Sequence, residues 1–208
     1  MSSEIVYRTA EKKDEEGVLE FLREHYYTDE PLSKNDGYHD AEYEDFSVGL
    51  IKGGTSTVAV LNGQIVGVRL ALPDRKDNQV SAAFNKKPTS AYERIFGLVN
   101  VLETRSNVFE RYKVDLVMQR HGLGVRRNFR GQGIAKRLLE ENMKLAKEKG
   151  FSVYACDCTS LYSARLCENL GMKQTATLEF TEYCDENGSP YYNPEPPHDL
   201  ARSYVKRL

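Results

Sequence analysis

The alternation of apolar and polar positions divides the chain into short strands and amphipathic helices. Ile5 to Arg8 alternates and predicts a first strand. From Asp14 to Tyr27, the residues Val18, Leu19, Leu22 and Tyr26 recur at helical spacing and predict an amphipathic helix. The segment Thr28 to Ser33 breaks it, and Pro31 biases Glu30 away from the helical region. Tyr38 to Ile51 predicts a second helix, ended by Gly53 and Gly54. Thr55 to Leu61 and Gln64 to Leu70 predict two strands joined by Asn62-Gly63, a strong short hairpin signal. Pro73 to Pro88 reads as a polar connection. Ser90 to Tyr112 reads mostly as helix, with Ile95, Leu98, Val99, Leu102 and Val108 on one face.

The second half alternates strand and helix. Val114 to Val125 predicts a strand carrying Gly122 and Gly124. Glycine inside a strand marks a bulge or a close approach to the backbone. Ile134 to Lys149 predicts a helix with Ala135, Leu138, Leu139, Asn142 and Ala146 on its inner side, stopped by Gly150. A strand (Phe151 to Cys156), a short helix (Thr159 to Asn169) and a strand (Lys173 to Tyr183) follow. A proline- and tyrosine-rich loop and a final strand from Leu200 to Val205 complete the chain. This order predicts an α/β protein: a mixed sheet with helices on both faces, in a single domain over residues 1–208.

Charge and composition narrow the partners. The net charge is −2, so no global basic field favours nucleic acid. No apolar run approaches the ~20 residues of a membrane span, and no basic start followed by an apolar core marks a signal peptide. Cys156, Cys158, Cys167 and Cys184 read as free thiols, which fits a cytoplasmic location. The four histidines are scattered and make no zinc-ligand spacing with the cysteines, so no metal is expected.

The chemistry centres on Val125 to Ala135. An apolar strand leads into Arg130-Gly131-Gln132-Gly133-Ile134-Ala135, which opens a helix. A strand, a glycine turn and a helix N-terminus hold a phosphate well, because the first amides of a helix have no internal partner and the dipole is positive there. Arg126 or Arg127 supplies a nearby counter-charge. The stretch lacks the spacing and hydroxyl of a P-loop. It also lacks the third glycine of a dinucleotide fingerprint, having Lys136 there. An ordinary turn that uses glycine for geometry is the plain alternative.

Arg130 to Ala135 resembles the acyl-coenzyme A turn of the GNAT N-acetyltransferases, Arg/Gln-x-x-Gly-x-Gly/Ala, at every fixed position. The resemblance extends to element order over nearly the whole chain and implies the GNAT fold, with about seven strands. Ser160 to Met172 is similar to the later motif of the family. Here, however, Ser160, Ser163, Cys167 and Met172 replace asparagine, alanine, tyrosine and phenylalanine. In many members that tyrosine is the proposed general acid. Three stretches resemble insect arylalkylamine N-acetyltransferases in combination: Asp29-Glu30-Pro31-Leu32-Ser33, Tyr162-Ser163-Ala164-Arg165 and Pro196-Pro197-His198.

The resemblance implies that acetyl-CoA is the co-substrate, held by Arg130, Gly131, Gln132, Gly133, Ile134 and Ala135. It places the pantetheine beside Leu123, Gly124 and Val125, and adds Ser160, Tyr162 and Arg165 as cofactor contacts. An alkylamine is almost wholly charged at neutral pH, so a carboxylate is needed to attract it and accept its proton. Glu30, in a turn before a proline, is the candidate base, and the subgroup resemblance points to the same residue. Its alternative is an exposed loop acid. Thr159 and Ser163, four apart, are expected on one helical face, relaying a proton or binding substrate. Capping of that helix by Thr159 or Ser160 is the alternative. Tyr26 and Tyr38 flank the Glu30 segment and are candidate amine contacts, and His198 is added by resemblance. Cys167 is expected in the core. The implied activity is transfer of an acetyl group to an arylalkylamine such as dopamine, serotonin, tryptamine or octopamine. Another amine such as a polyamine, or acyl-CoA binding without turnover, is the alternative.

Overall fold

The computed structural model describes residues 4–37, 40–78 and 87–208, and all their side chains except that of Arg120. Among the described residues, seven strands are β1 (Val6–Thr9), β2 (Thr57–Leu61), β3 (Gln64–Arg75), β4 (Leu116–Val125), β5 (Val153–Cys158), β6 (Lys173–Glu179) and β7 (Leu200–Arg207). They form one sheet in the order β1-β2-β3-β4-β5-β7-β6. Every neighbouring pair is antiparallel except β4 and β5, which are parallel.

Helices α1 (Glu15–His25), α3 (Ala41–Gly49), α4 (Ala91–Ser106) and α5 (Val108–Tyr112) cover one face, with α2 (Pro31–Asn35) between the first two of these. Helices α6 (Ile134–Glu148) and α7 (Leu161–Asn169) cover the other. Alternation along the strands feeds both cores. Val117 and Ala155 pack with α5, whereas their neighbours Met118, Tyr154 and Cys156 pack with α6 and α7. The amphipathic stripe read for α6 is the one buried: Leu138, Leu139, Asn142 and Ala146 are at most 1% exposed.

Several boundaries differ from the sequence reading for local reasons. The segment read as a break after the first helix contains α2, for which Glu30 is the N-cap and Pro31 the first residue. Proline there ends one helix and begins the next, because its missing N–H is not needed at a helix start. The helix expected from Tyr38 begins at Ala41, capped by the Asp40 side chain, and Tyr38 and His39 lie outside the described residues. Strand β3 runs through Pro73, where the sequence pattern predicts the start of a loop. Lys76 donates its N–H to Asp115 O across the β3–β4 pair, so Pro73, three residues back, points its nitrogen towards β2, which has already ended. The long helix expected up to Tyr112 is broken at Asn107, which takes φ 47° between α4 and α5.

Two features shape the middle of the sheet. The β3–β4 register slips between Leu70 and Ala71, leaving His121 as a bulge. Among the described residues, strands β4 and β5 pair at Met118↔Tyr154 and Gln119↔Ala155 and then separate. Among the described residues the gap between them holds no further pairing, and it opens into the cleft described next.

Candidate active site

The cleft has a volume of about 590 Å³, within the usual range for a small-molecule site. It runs from the glycine turn, through the β4–β5 fork, to an aromatic wall formed by Tyr26, Tyr43 and Phe96. Gly122 and Gly124 make room for that wall. A Cβ at 122 would lie 3.3 Å from the Tyr26 ring, and one at 124 would lie 3.0 Å from Phe21. Both readings of an in-strand glycine therefore hold in β4, a bulge beside a close approach.

Beyond Gln119, the edge of β4 that faces the fork pairs with no strand among the described residues. Arg126 N–H donates to Val66 O, which makes that pair the hydrogen-bonded one. By the antiparallel alternation, Val125 and Leu123 then turn their N–H and C=O groups away from β3 and into the gap. Val125 O accepts from Arg130 Nε at 3.0 Å, as that orientation requires. Such an edge is a template for an extended chain containing amides.

At the turn, Gly131 and Gly133 take φ 77° and 79°, conformations that glycine adopts without strain. The amides from Gly131 to Ala135 donate to no acceptor among the described residues, so they form an anion cradle at the start of a helix. Of the expected cofactor residues, Leu123, Gly124, Val125, Arg130, Gly131, Ala135, Ser160 and Tyr162 line the cleft. Gln132 and Gly133 are exposed on the turn. Ile134 has a core side chain, 2% exposed, so it has only its amide to offer. Arg165 is exposed on α7 and does not line the cleft.

The arginines are arranged differently from the sequence reading. Asp29 Oδ1 accepts from Arg127 Nη2 at 2.7 Å, and its Oδ2 accepts from Arg130 Nη2 at 2.7 Å. Those two guanidinium groups, through their hydrogen bonds, hold the Asp29 carboxyl below its ordinary range. Arg126 lies instead on a separate groove, with Arg8, Asp14 and the Asn62-Gly63 hairpin. No local sequence signal marked Asp29 as the partner, since it is 98 residues from Arg127.

Glu30, next to Asp29 in sequence, also lines the cleft. Its Oε2 accepts from the Ser33 amide at 2.7 Å and from Ser33 Oγ at 2.8 Å. Its Oε1 accepts from Thr159 Oγ1 at 2.7 Å, across 129 residues of sequence. The two candidate catalytic residues are thus in direct contact. The helical pairing of Thr159 with Ser163 is not realised. Helix α7 starts at Leu161, and Ser160 is its N-cap, bonding the Ser163 amide. Thr159 therefore precedes the helix. Ser163 lines the cleft, with Oγ donating to Ser160 O at 2.9 Å. The capping alternative holds for Ser160.

Tyr26 lines the cleft, whereas His198 does not. His198 sits beside the start of α7, where its Nδ1 accepts from the Leu161 amide at 3.3 Å and its ring meets Tyr162. Cys167 is fully buried, and hydrogen bonding with Cys156 and Cys158, together with burial, keeps it protonated. It is a core residue. Asp157, also in the cleft, was not anticipated: it accepts from the amide of Gln119 and from Ser203. Gln119 also donates to Glu103 at 2.8 Å. Burial, with Asp157 and Asp74 nearby, raises the Glu103 carboxyl well above its ordinary range. Among the described residues, no cluster suits a metal ion and no helix is long and apolar enough to cross a membrane.

The profile of the Acetyltransferase (GNAT) family matches residues 19–172. Three solved structures are each 30% identical to this chain over almost the full length of both. The Drosophila melanogaster polyamine N-acetyltransferase, described as forming N-acetylagmatine, covers 99% of this chain and is itself covered over 100%, with a TM-score of 0.90. For arylalkylamine N-acetyltransferase 2 from Aedes aegypti the shares are 98% and 98%, also with a TM-score of 0.90. For the mosquito arylalkylamine N-acetyltransferase like 5b they are 99% and 100%, with a TM-score of 0.89.

Proposed function

The chain belongs to the GNAT acetyltransferase family, and from that premise we propose that it acetylates the primary amine of an arylalkylamine with acetyl-CoA. The observation that carries this reading is the Glu30–Thr159 contact, in one cleft with an anion-binding turn and an aromatic wall. The turn amides hold the pyrophosphate, and the β4 edge pairs with the pantetheine arm. The aryl ring rests against Tyr26, Tyr43 and Phe96.

The charged amine docks on Glu30, whose Oε2 is committed to Ser33 and whose Oε1 has one lone pair beyond the bond to Thr159. Glu30 takes a proton, and the nitrogen lone pair attacks the thioester carbonyl carbon. The C–N bond forms as the carbonyl π pair moves to oxygen, which an outward amide of Leu123 or Val125 stabilises. The carbonyl re-forms, the C–S bond breaks with its electron pair on sulfur, and the nitrogen sheds its second proton, which ends on the departing thiolate. No enzyme acyl intermediate is required. A cytoplasmic location belongs to the same proposal, supported by cysteines that stand as thiols.

One observation favours a second acceptor class. Asp157 brings a carboxylate to the cleft beyond Glu30 and the arginine-bound Asp29, which suits an amine carrying another cation, such as agmatine or a polyamine. Loss of thioester absorbance, followed over tyramine, tryptamine, dopamine, agmatine and spermidine, separates the two. The arylalkylamine reading expects kcat/KM at least about tenfold higher for the aryl amines, one apolar side of contact being worth 1–3 kcal/mol. The opposite order overturns that reading in favour of the dication. Bound acetyl-CoA with no turnover on any amine overturns both.

A further inference from the structure

Strand β3 carries a charge in the middle of its apolar run. Arg69 lies between Val68 and Leu70 and is 0% exposed. Its guanidinium reaches under the sheet at the place where β4 and β5 part. Nη1 donates to Leu70 O and, at 3.4 Å, to Gly122 O on β4. Nη2 donates to the Tyr154 hydroxyl on β5, and the guanidinium carbon lies 5.4 Å from the Tyr154 ring centroid. Nε is buried without a hydrogen bond. Tyr154 belongs to one of the two residue pairs that join β4 to β5 among the described residues. The Tyr154 hydroxyl donates to Asn142 Oδ1 at 2.6 Å, and Asn142 Nδ2 donates to Thr55 O at 2.7 Å.

All of these hydrogen-bond partners are neutral, and among the described residues no carboxylate forms an ion pair with Arg69. A buried charge without a counter-ion is costly, and methionine would fill similar space without that cost. The positive charge is therefore uncompensated at the fork, next to the β4 residues that line the cleft. This is also the region where the acyl-transfer reading puts the thioester, in a chain with cysteine in place of the usual tyrosine acid.

We propose that Arg69 is a positioning residue for acyl transfer, whose uncompensated charge, pinned to Gly122 and Tyr154 at the fork, stabilises the thiolate formed as the C–S bond breaks. The departing electron pair resides on sulfur, and a proton released from the attacking nitrogen neutralises it afterwards. The inference rests on acyl-CoA occupying this cleft.

The test uses CoA itself, the thiol product. Bound CoA is titrated by thiolate absorbance, with the protein's own thiols subtracted from a sample without CoA. A thiol ordinarily titrates near 8.5, and the bound thiol is expected about one unit lower, a tenfold larger thiolate ratio. Arg69→Lys should retain part of the shift and Arg69→Met should abolish it. CoA affinity should stay within about threefold in both, because Arg69 does not line the cleft. A bound thiol at or above its free value in the unaltered protein overturns the proposal, even if Arg69→Met does not fold. So does a lowered thiol that persists in Arg69→Met, which would leave Arg69 a structural role alone. Failure of CoA to bind overturns the acyl-CoA reading as well, so the two failures are distinguishable.

Discussion

Replacing Glu30 by glutamine separates its chemical role from its structural one. In the folded chain the carboxylate accepts three hydrogen bonds, from the Ser33 amide, Ser33 Oγ and Thr159 Oγ1, at 2.7, 2.8 and 2.7 Å. Glutamine can keep the cap of α2 through its carbonyl oxygen. Its NH2 can donate to Thr159, whose hydroxyl reverses to accept. What is lost is the charge assistance, about 1 kcal/mol. For a chain of this length that lowers the melting temperature by only ~2–4 °C.

The chemical loss is much larger. Glutamine cannot accept a proton, and an alkylamine near pKa ~10 is only about one part in a thousand neutral at pH 7. Loss of a general base costs roughly 10²–10⁴ in rate, or about 3–5 kcal/mol of barrier. The assay is amine-dependent loss of acetyl-CoA, with acetyl-CoA binding and thermal melting measured alongside. The variant should bind acetyl-CoA normally and turn over at least ~10²-fold more slowly at pH 7. Its rate should then climb close to tenfold per pH unit up to pH ~9, as the neutral amine becomes available without a base. Activity within about threefold of the unaltered protein at pH 7, or a slow rate that does not climb with pH, refutes the assignment of Glu30 as base.

Two further outcomes follow from the geometry. Gly133→Ala meets no neighbouring atom but must hold φ 79°, which costs about 1–2 kcal/mol; calorimetric titration should find acetyl-CoA binding weakened roughly tenfold as the turn relaxes away from the anion cradle, and unchanged affinity would show that the cradle is not used. Glu103→Gln should stabilise the protein in a pH-dependent way. The folded carboxyl titrates well above its ordinary 4.5 because of burial, Asp157 and Asp74, so above that value the native state holds a proton that the unfolded chain releases, and stability falls as pH rises. Melting curves should therefore place Glu103→Gln progressively above the unaltered protein from pH 5 to pH 8, and a constant offset would contradict the proton-holding account.

Much of the fold was legible in local pattern. The helical stripe of α6, the Asn62-Gly63 hairpin and the strand–turn–helix around Gly131 are each specified by residues within a few positions of one another, as was the likeness to the GNAT fold. Three local patterns mislead for another reason. Pro31 looks like a breaker because a stop and an N1 proline have the same local signature, and the Glu30 cap on Ser33 distinguishes them. Pro73 looks like a loop residue because its acceptability in β3 depends on where β2 ends. Thr159 and Ser160 are equally good local caps, and the side-chain bond to the Ser163 amide decides for Ser160, which leaves Thr159 outside the helix.

Residue type and spacing alone determined the phosphate turn, since glycine at positive φ and free helix-start amides are properties of the adjacent backbone. Glu30 and Thr159 stand out individually, Glu30 only together with the resemblance to the arylalkylamine subgroup. Only the tertiary structure could join those two across 129 residues and tie Asp29 to Arg127 and Arg130. It also brought Arg69 beneath the β4–β5 fork, next to Gly122 and Tyr154. A charge within an apolar strand was visible from the start, but its meaning depends on whether a counter-ion comes to meet it. That depends on how separate strands pack, because electrostatic interaction is set by distance in space and by burial, not by separation along the chain.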